Sequence, residues 1–177
     1  MTGDESSPET HAISAGIDAL NVIVGRLTAW LTLGMVLVTV VVVVMRYAFD
    51  VGYIWLQEGL TWMHAAVFML GAAYTLQRDE HVRVDVFYRE MSDTRRAWVN
   101  AIGVLVFVFP LCGFLFLESL GYVQAAWSIR EVSRDAGGLP YPAIPLLKSM
   151  LLAMPVLVAL QGVSMLVTAA LTLRGRR

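Results

Sequence analysis

Residues 27–45 read LTAWLTLGMVLVTVVVVVM, held between Arg26 and Arg46. These 19 residues carry no charge. At about 1.5 Å rise per residue, such a run crosses close to the ~30 Å hydrocarbon core of a bilayer. Valine forms helices poorly in water, but in lipid only helices and closed barrels satisfy their own backbone groups. Hydrophobicity therefore overrides propensity, and the run reads as a transmembrane helix.

Working outward, three more uncharged runs follow. Residues 59–77 lie between Glu58 and Arg78, 97–117 between Arg96 and Glu118, and 149–173 between Lys148 and Arg174. The composition agrees: 58% of the 177 residues are hydrophobic with glycine left out, and mean hydropathy is +0.66. Soluble domains reach only about 45–50% apolar with glycine counted. A net charge of −1 offers no field that would draw nucleic acid. The lone Cys112 sits in an apolar run with no disulfide partner. Residues 1–12, MTGDESSPETHA, lack the basic start and small-residue cleavage site of a signal peptide, so a retained, mobile cytoplasmic tail is expected there. The fold class that follows is an all-α integral membrane protein. It has four transmembrane helices and an N-terminal amphipathic interfacial helix, with residues 13–177 forming one domain.

Lys and Arg in the short flanks set the orientation. One side holds Arg46, Arg130, Arg134 and Lys148; the other holds the remaining nine of the 13, namely Arg26, Arg78, Arg83, Arg89, Arg95, Arg96, Arg174, Arg176 and Arg177. Nine against four places both termini and the middle loop in the cytoplasm.

Three segments are neither span nor plain loop. In ISAGIDALNVIVGRL, Ile13, Ile17, Leu20, Val24 and Leu27 share one helical face, with Ser14, Asp18 and Asn21 opposite. That pattern predicts an amphipathic helix along the cytoplasmic interface. HVRVDVFYREM alternates like a strand, yet Val84, Phe87, Tyr88 and Met91 also form a helical stripe; with no ladder partner in sight, a short interfacial helix is expected. The third helix is expected to run beyond the membrane to Gly137-Gly138, and Pro110 and Pro155 predict kinks within spans three and four.

Little here resembles chemistry. There is no CxxC pair, no GxSxG, no glycine-rich phosphate loop and no clustered carboxylates, so no catalytic, cofactor-binding or metal-binding residue is assigned. A haem-binding bundle needs two histidines at membrane depth, and only His64 lies within a span. Ionisable residues in spans are candidates for proton or ion pathways. Glu58 and His64, however, stand six residues apart, about 240° around a helix, and share no face. His64 falls with Val67, Phe68 and Gly71, a small-residue notch suited to close helix approach, and reads as a hydrogen-bonded packing histidine. Glu58 falls with Trp55, Thr61, Trp62 and Ala65 at the outer interface, where Arg46 or a partner protein would pair with it. The tryptophans suit an aromatic belt. The middle-loop arginines suit topology and lipid-headgroup contacts as well as docking.

The run MRYAFDVGYIWLQEGLTWMHAAVFMLGAAYTLQRDEHVRVD resembles the signature of the small membrane subunit of TRAP (tripartite ATP-independent periplasmic) transporters. The matching positions are Arg46-Tyr47, Phe49, Trp55, Glu58, Trp62, Gly71-Ala72-Ala73 and the close from His81 to Asp85. Gln57 departs from the family, which more often has the first of two glutamates there. The resemblance implies a scaffold subunit beside a large multi-span membrane subunit that carries the substrate and sodium sites. A periplasmic solute-binding protein would deliver the solute, organic acids being the family's usual cargo. On this reading Arg46, Trp55, Glu58, Trp62, His64, Gly71, His81 and Asp85 are interface or structural residues. Trp127, Arg130, Glu131 and Arg134, on the outer side, would contact the solute-binding protein. The competing readings are an independent homo-oligomeric channel, which needs a continuous polar stripe along one span, and a membrane redox subunit.

Overall fold

The computed structural model describes residues 8–78 and 91–174. Four helices in it are long and apolar enough to cross a membrane. Helix α1 spans Pro8–Phe49, α2 Ile54–Gln77, α3 Asp93–Ser128 and α4 Ala143–Arg174. All described residues outside them lie in turns and connections, and the chain is an all-α membrane protein.

The four expected runs lie within these helices, but the ends differ. The amphipathic segment is not a separate element. It forms the first turns of α1, one unbroken helix of 42 residues. Its polar side turns into the bundle: Asn21, Gly25 and Thr28 are buried, whereas Leu20, Ile23, Leu27 and Trp30 point outward. In a bilayer the apolar side is the solvent-compatible one, and polar groups that find partners turn into the bundle. The helix begins at Pro8, inside the segment expected to be a tail. The expected interfacial helix of the middle loop, with His81 and Asp85, lies outside the described residues.

Helix α3 stops at Ser128, well short of Gly137-Gly138. The Arg130 amide donates to Trp127 O and the Glu131 amide to Ala126 O, the paired bonds of a Schellman ending. Arg130 itself takes the left-handed conformation (φ 48°). The glycines were the obvious stop signal, yet an arginine performs the stop. Pro110 is accommodated by the π-helical turn Val104–Val108 just before it, in which the Phe109 amide reaches back to Val104 O. A wider turn gives the ring room where a regular helix would clash with it. Pro155 lies buried inside α4.

Helix α4 is the hub. It packs against α1, α2 and α3, whereas α3 packs chiefly on α4. Its span has a 28% buried share, against 6% for α1 and 11% each for α2 and α3. Small residues at its contacts, Gly162, Ser164 and Ala169, let neighbours approach closely, as packing in lipid requires. Helices α1 and α2 meet where Gly25 abuts Tyr74 so tightly that a Cβ on Gly25 would stand 2.7 Å from Tyr74 Cβ. The outward side of α1 remains bare, with Leu33, Val36, Leu37, Val40, Val41 and Val44 all exposed.

Candidate functional site

Polar groups gather in two layers, one at each end of the bundle. The layer on the side expected to be outer is built on the connection between α3 and α4. Glu58, in the first turns of α2, receives the Ser133 hydroxyl on Oε1 and the Leu139 amide on Oε2, the latter at 2.6 Å. The carboxylate thus holds both limbs of the connection. The Ser133 amide also bonds across it to Leu139 O at 3.4 Å. Gly138 sits where a Cβ would stand 2.6 Å from Ser133 Cβ and 2.7 Å from Glu58 Oε2, so a larger residue there would force the connection to shift.

Trp62, one turn further along α2, donates its indole N–H to Ala143 O at 3.0 Å and pins the start of α4. Trp127 donates to Ser149 Oγ at 2.9 Å and meets the Tyr141 ring edge-on. Lys148 pairs with Glu131 at 2.6 Å and stands 3.9 Å over the Tyr122 ring. Trp55 and Trp62, with Leu139, Pro140 and Tyr141, line an apolar hollow of about 480 Å³.

The inner layer is the feature that sequence reasoning missed. Asp18 Oδ1 accepts from Gln161 Nε2 (3.1 Å) and from Ser164 Oγ (2.9 Å). Asn21 Nδ2 donates to Gln161 Oε1 at 2.7 Å, and Gln77 Nε2 donates to the Asp18 carbonyl at 3.1 Å. Three helices are joined by these bonds. Asn21, Ser164 and Gln161 are 1%, 2% and 3% exposed. The signal was present in the chain: Asp18, Asn21, Gly25 and Thr28 form one stripe, and Gln161 and Ser164 sit three residues apart within span four. Asp18 and Asn21 were visible as the polar side of an amphipathic stretch, but their partners Gln161 and Ser164 are neutral and leave no break in the uncharged run of span four.

The expected site residues therefore separate. Glu58 and Trp62 are brought together on the outer connection, with Trp55 beside them. Glu58 is not engaged by Arg46; its oxygens are filled by Ser133 and Leu139, and Arg46 is exposed in the last turn of α1. His64 is exposed and leans on Phe68 with ring centroids 5.0 Å apart, in place of the hydrogen bond expected of it. Gly71 lies over Thr28 of α1, with 3.9 Å between a built Cβ and Thr28 Oγ1. In the outer quartet, Trp127 and Glu131 spend their polar atoms inward, while Arg130 and Arg134 are exposed.

A family model described as "Tripartite ATP-independent periplasmic transporters, DctQ component" matches residues 35–172. The chain belongs to that family. The match runs from within α1 to close to the end of α4, so it takes in part of the first span, all of the second and third, and nearly all of the fourth, with both sides of the α3–α4 connection. The chain is thus a multi-pass membrane component of a transporter, as the resemblance in the α1–α2 region implied. No curated protein and no solved structure matches it.

Proposed function

We propose that this chain is the small scaffold subunit of a secondary active TRAP uptake system, and that it performs no catalysis of its own. In this reading an ion gradient, sodium in the usual case, drives import of organic acids such as carboxylates. Its partners are a large multi-span membrane subunit, a periplasmic solute-binding protein and the surrounding lipids, with no nucleic acid involved. It resides in the bacterial inner membrane with both termini cytoplasmic. The family match across residues 35–172 is the observation that carries the proposal. The nine-to-four division of Lys and Arg supports the orientation, and the broad bare face of α1 suits a surface meant for lipid or a larger neighbour.

The scaffold role separates from the channel alternative in liposomes. Vesicles holding this chain together with the large subunit and the solute-binding protein should take up a carboxylate along a sodium gradient, and omission of this chain should abolish uptake. Solute flux through vesicles holding this chain alone would overturn the scaffold reading in favour of an independent channel. On the outer side, Arg130 and Arg134 are the cations placed to meet the solute-binding protein. The double variant R130E/R134E should weaken receptor docking and lower uptake while leaving the subunits associated; unchanged docking would remove that contact from the proposal.

A further inference from the structure

We propose that the outward stripe of α2 is the contact face for a transmembrane helix of the large membrane subunit, one that brings a hydrogen-bonding side chain to His64. The inference rests on the scaffold role proposed above. It starts from a contrast between the faces that the bundle turns outward. On α1 that face holds Leu33, Val36, Leu37, Val40, Val41 and Val44, and on α3 it includes Leu111, Phe114 and Leu117, all exposed. Both faces are apolar and match lipid tails. Helix α2 differs. Its outward line is Gln57, Thr61, His64 and Phe68, all exposed. Spacings of four, three and four residues keep them on one side of the helix.

Thr61 satisfies its own hydroxyl by donating to Gln57 O at 3.2 Å. His64 has no such outlet. Its ring leans on Phe68, and among the described residues neither its imidazole nor the Gln57 side-chain amide makes a hydrogen bond. His64 stands six residues beyond Glu58, about 9 Å along the helix and further than its short stem can reach back. Ionisable side chains within spans almost always face a bundle interior or a water-filled cavity and pair there. An outward His64 fits that rule when the outward side of α2 becomes the interior of a larger bundle. The polar line stops at Phe68, which is 70% exposed, so it forms no water path across the span. Toward the end of α2 the surface then hollows. Ala29 and Thr32 of α1, with Phe68, Gly71 and Thr75 of α2, line a depression of about 350 Å³. A helix laid along α2 therefore meets polar groups near its start and a seat floored by small residues further on.

The test uses the full chain expressed together with the large subunit and the solute-binding protein. A photoreactive benzoylphenylalanine in place of Thr61 should form an adduct with the large subunit, at several times the yield from the same group in place of Val40 or Phe114. An adduct joining two copies of this chain, or a Thr61 yield no higher than at the two apolar positions, would overturn the proposal. His64→Leu should cut co-purification of the large subunit by about threefold, the ~0.6 kcal/mol of an average interhelical hydrogen bond in lipid. His64→Gln, which keeps a donor and an acceptor, should cut it less. Co-purification untouched by His64→Leu would overturn the hydrogen bond and the proposal with it. In the isolated chain His64→Leu should leave the thermal midpoint unchanged or raised, since no internal hydrogen bond is lost; if it lowers the midpoint, the Thr61 adduct decides alone. Co-purification that persists without a Thr61 adduct leaves the scaffold role standing and removes this face from it. An unaltered chain that co-purifies with no larger membrane protein would remove both.

Discussion

A carboxylate near the mouth of a transmembrane helix must find donors or water, and Glu58 finds donors within its own chain. Its two oxygens tie Ser133 and Leu139, so the connection between α3 and α4 is fastened to α2 by one side chain. We expect Glu58→Leu to speed amide hydrogen exchange at Leu139 and its neighbours. Glu58→Gln, which keeps one acceptor oxygen, should have a smaller effect. Exchange at Leu139 unchanged by Glu58→Leu would show that the connection holds itself. Arg130 carries the opposite lesson, a residue in a backbone conformation that suits it poorly. With φ at 48°, it occupies a position where glycine has no Cβ penalty. Arg130→Gly should therefore stabilise the protein by about 1 kcal/mol. The lone Cys112, 6% exposed, supplies the readout, because a thiol-reactive dye reaches it only on unfolding. A lowered midpoint would mean that the Arg130 side chain contributes more than its backbone costs.

Among the elements, the α1–α2 pair depends on one point of close approach. Gly25→Ala would push a methyl into Tyr74, and overpacking of this kind costs about 1–3 kcal/mol. Gly16 of the same helix has nothing within 4 Å of a built Cβ. Gly16→Ala should be neutral or stabilising by roughly 0.5–1 kcal/mol, since alanine is the better helix former. The two variants together separate helix propensity from contact, and equal effects would contradict the packing described. Gln161 joins α4 to α1 through both ends of its amide. Interhelical hydrogen bonds in membranes average only ~0.6 kcal/mol, so Gln161→Leu should cost about 1–2 kcal/mol for two bonds and the stranded Asn21 amide. The dye-based midpoint measures this as well, and a rise would show that leucine packing outweighs the polar network.

At the scale of the whole molecule, the sequence revealed some features and concealed others for physical reasons. Span number and type were legible because lipid imposes length and apolarity on any crossing segment, as residues 27–45 show plainly. The α1–α2 signature was legible too, since a Gly-Ala-Ala stretch, two tryptophans and an acidic residue keep their order whatever the tertiary arrangement. The inward face of α1 was not. An amphipathic stripe states that two faces differ, and in a bilayer either can turn to the core, so the stripe of Asp18 and Asn21 does not say which way it points. The short reach of α3 was hidden for another reason: Gly137-Gly138 announces a turn, while nothing in the letters around Arg130 announces a left-handed residue. The Glu58 partners were hidden because Ser133 and Leu139 lie 75 and 81 residues away. The subunit role is a property of this scale. Under the proposed function, removing the chain from a reconstituted three-part system should stop sodium-driven uptake, as stated above.

The dependence of α3 on α4 also bears on how the bundle is made. A chain leaving the ribosome from its N-terminus completes α1 and α2 first, and these two already match each other at Gly25 and Tyr74. The third helix then enters the bilayer with its main partner still unsynthesised. It must wait as a lone helix, its Cys112 side facing lipid, until the last span arrives and closes both halves at once. The final helix is thus the keystone of assembly. A ribosome stalled before residue 143 would leave a stable hairpin and an orphan helix, the kind of half-built product that membrane quality control is placed to remove.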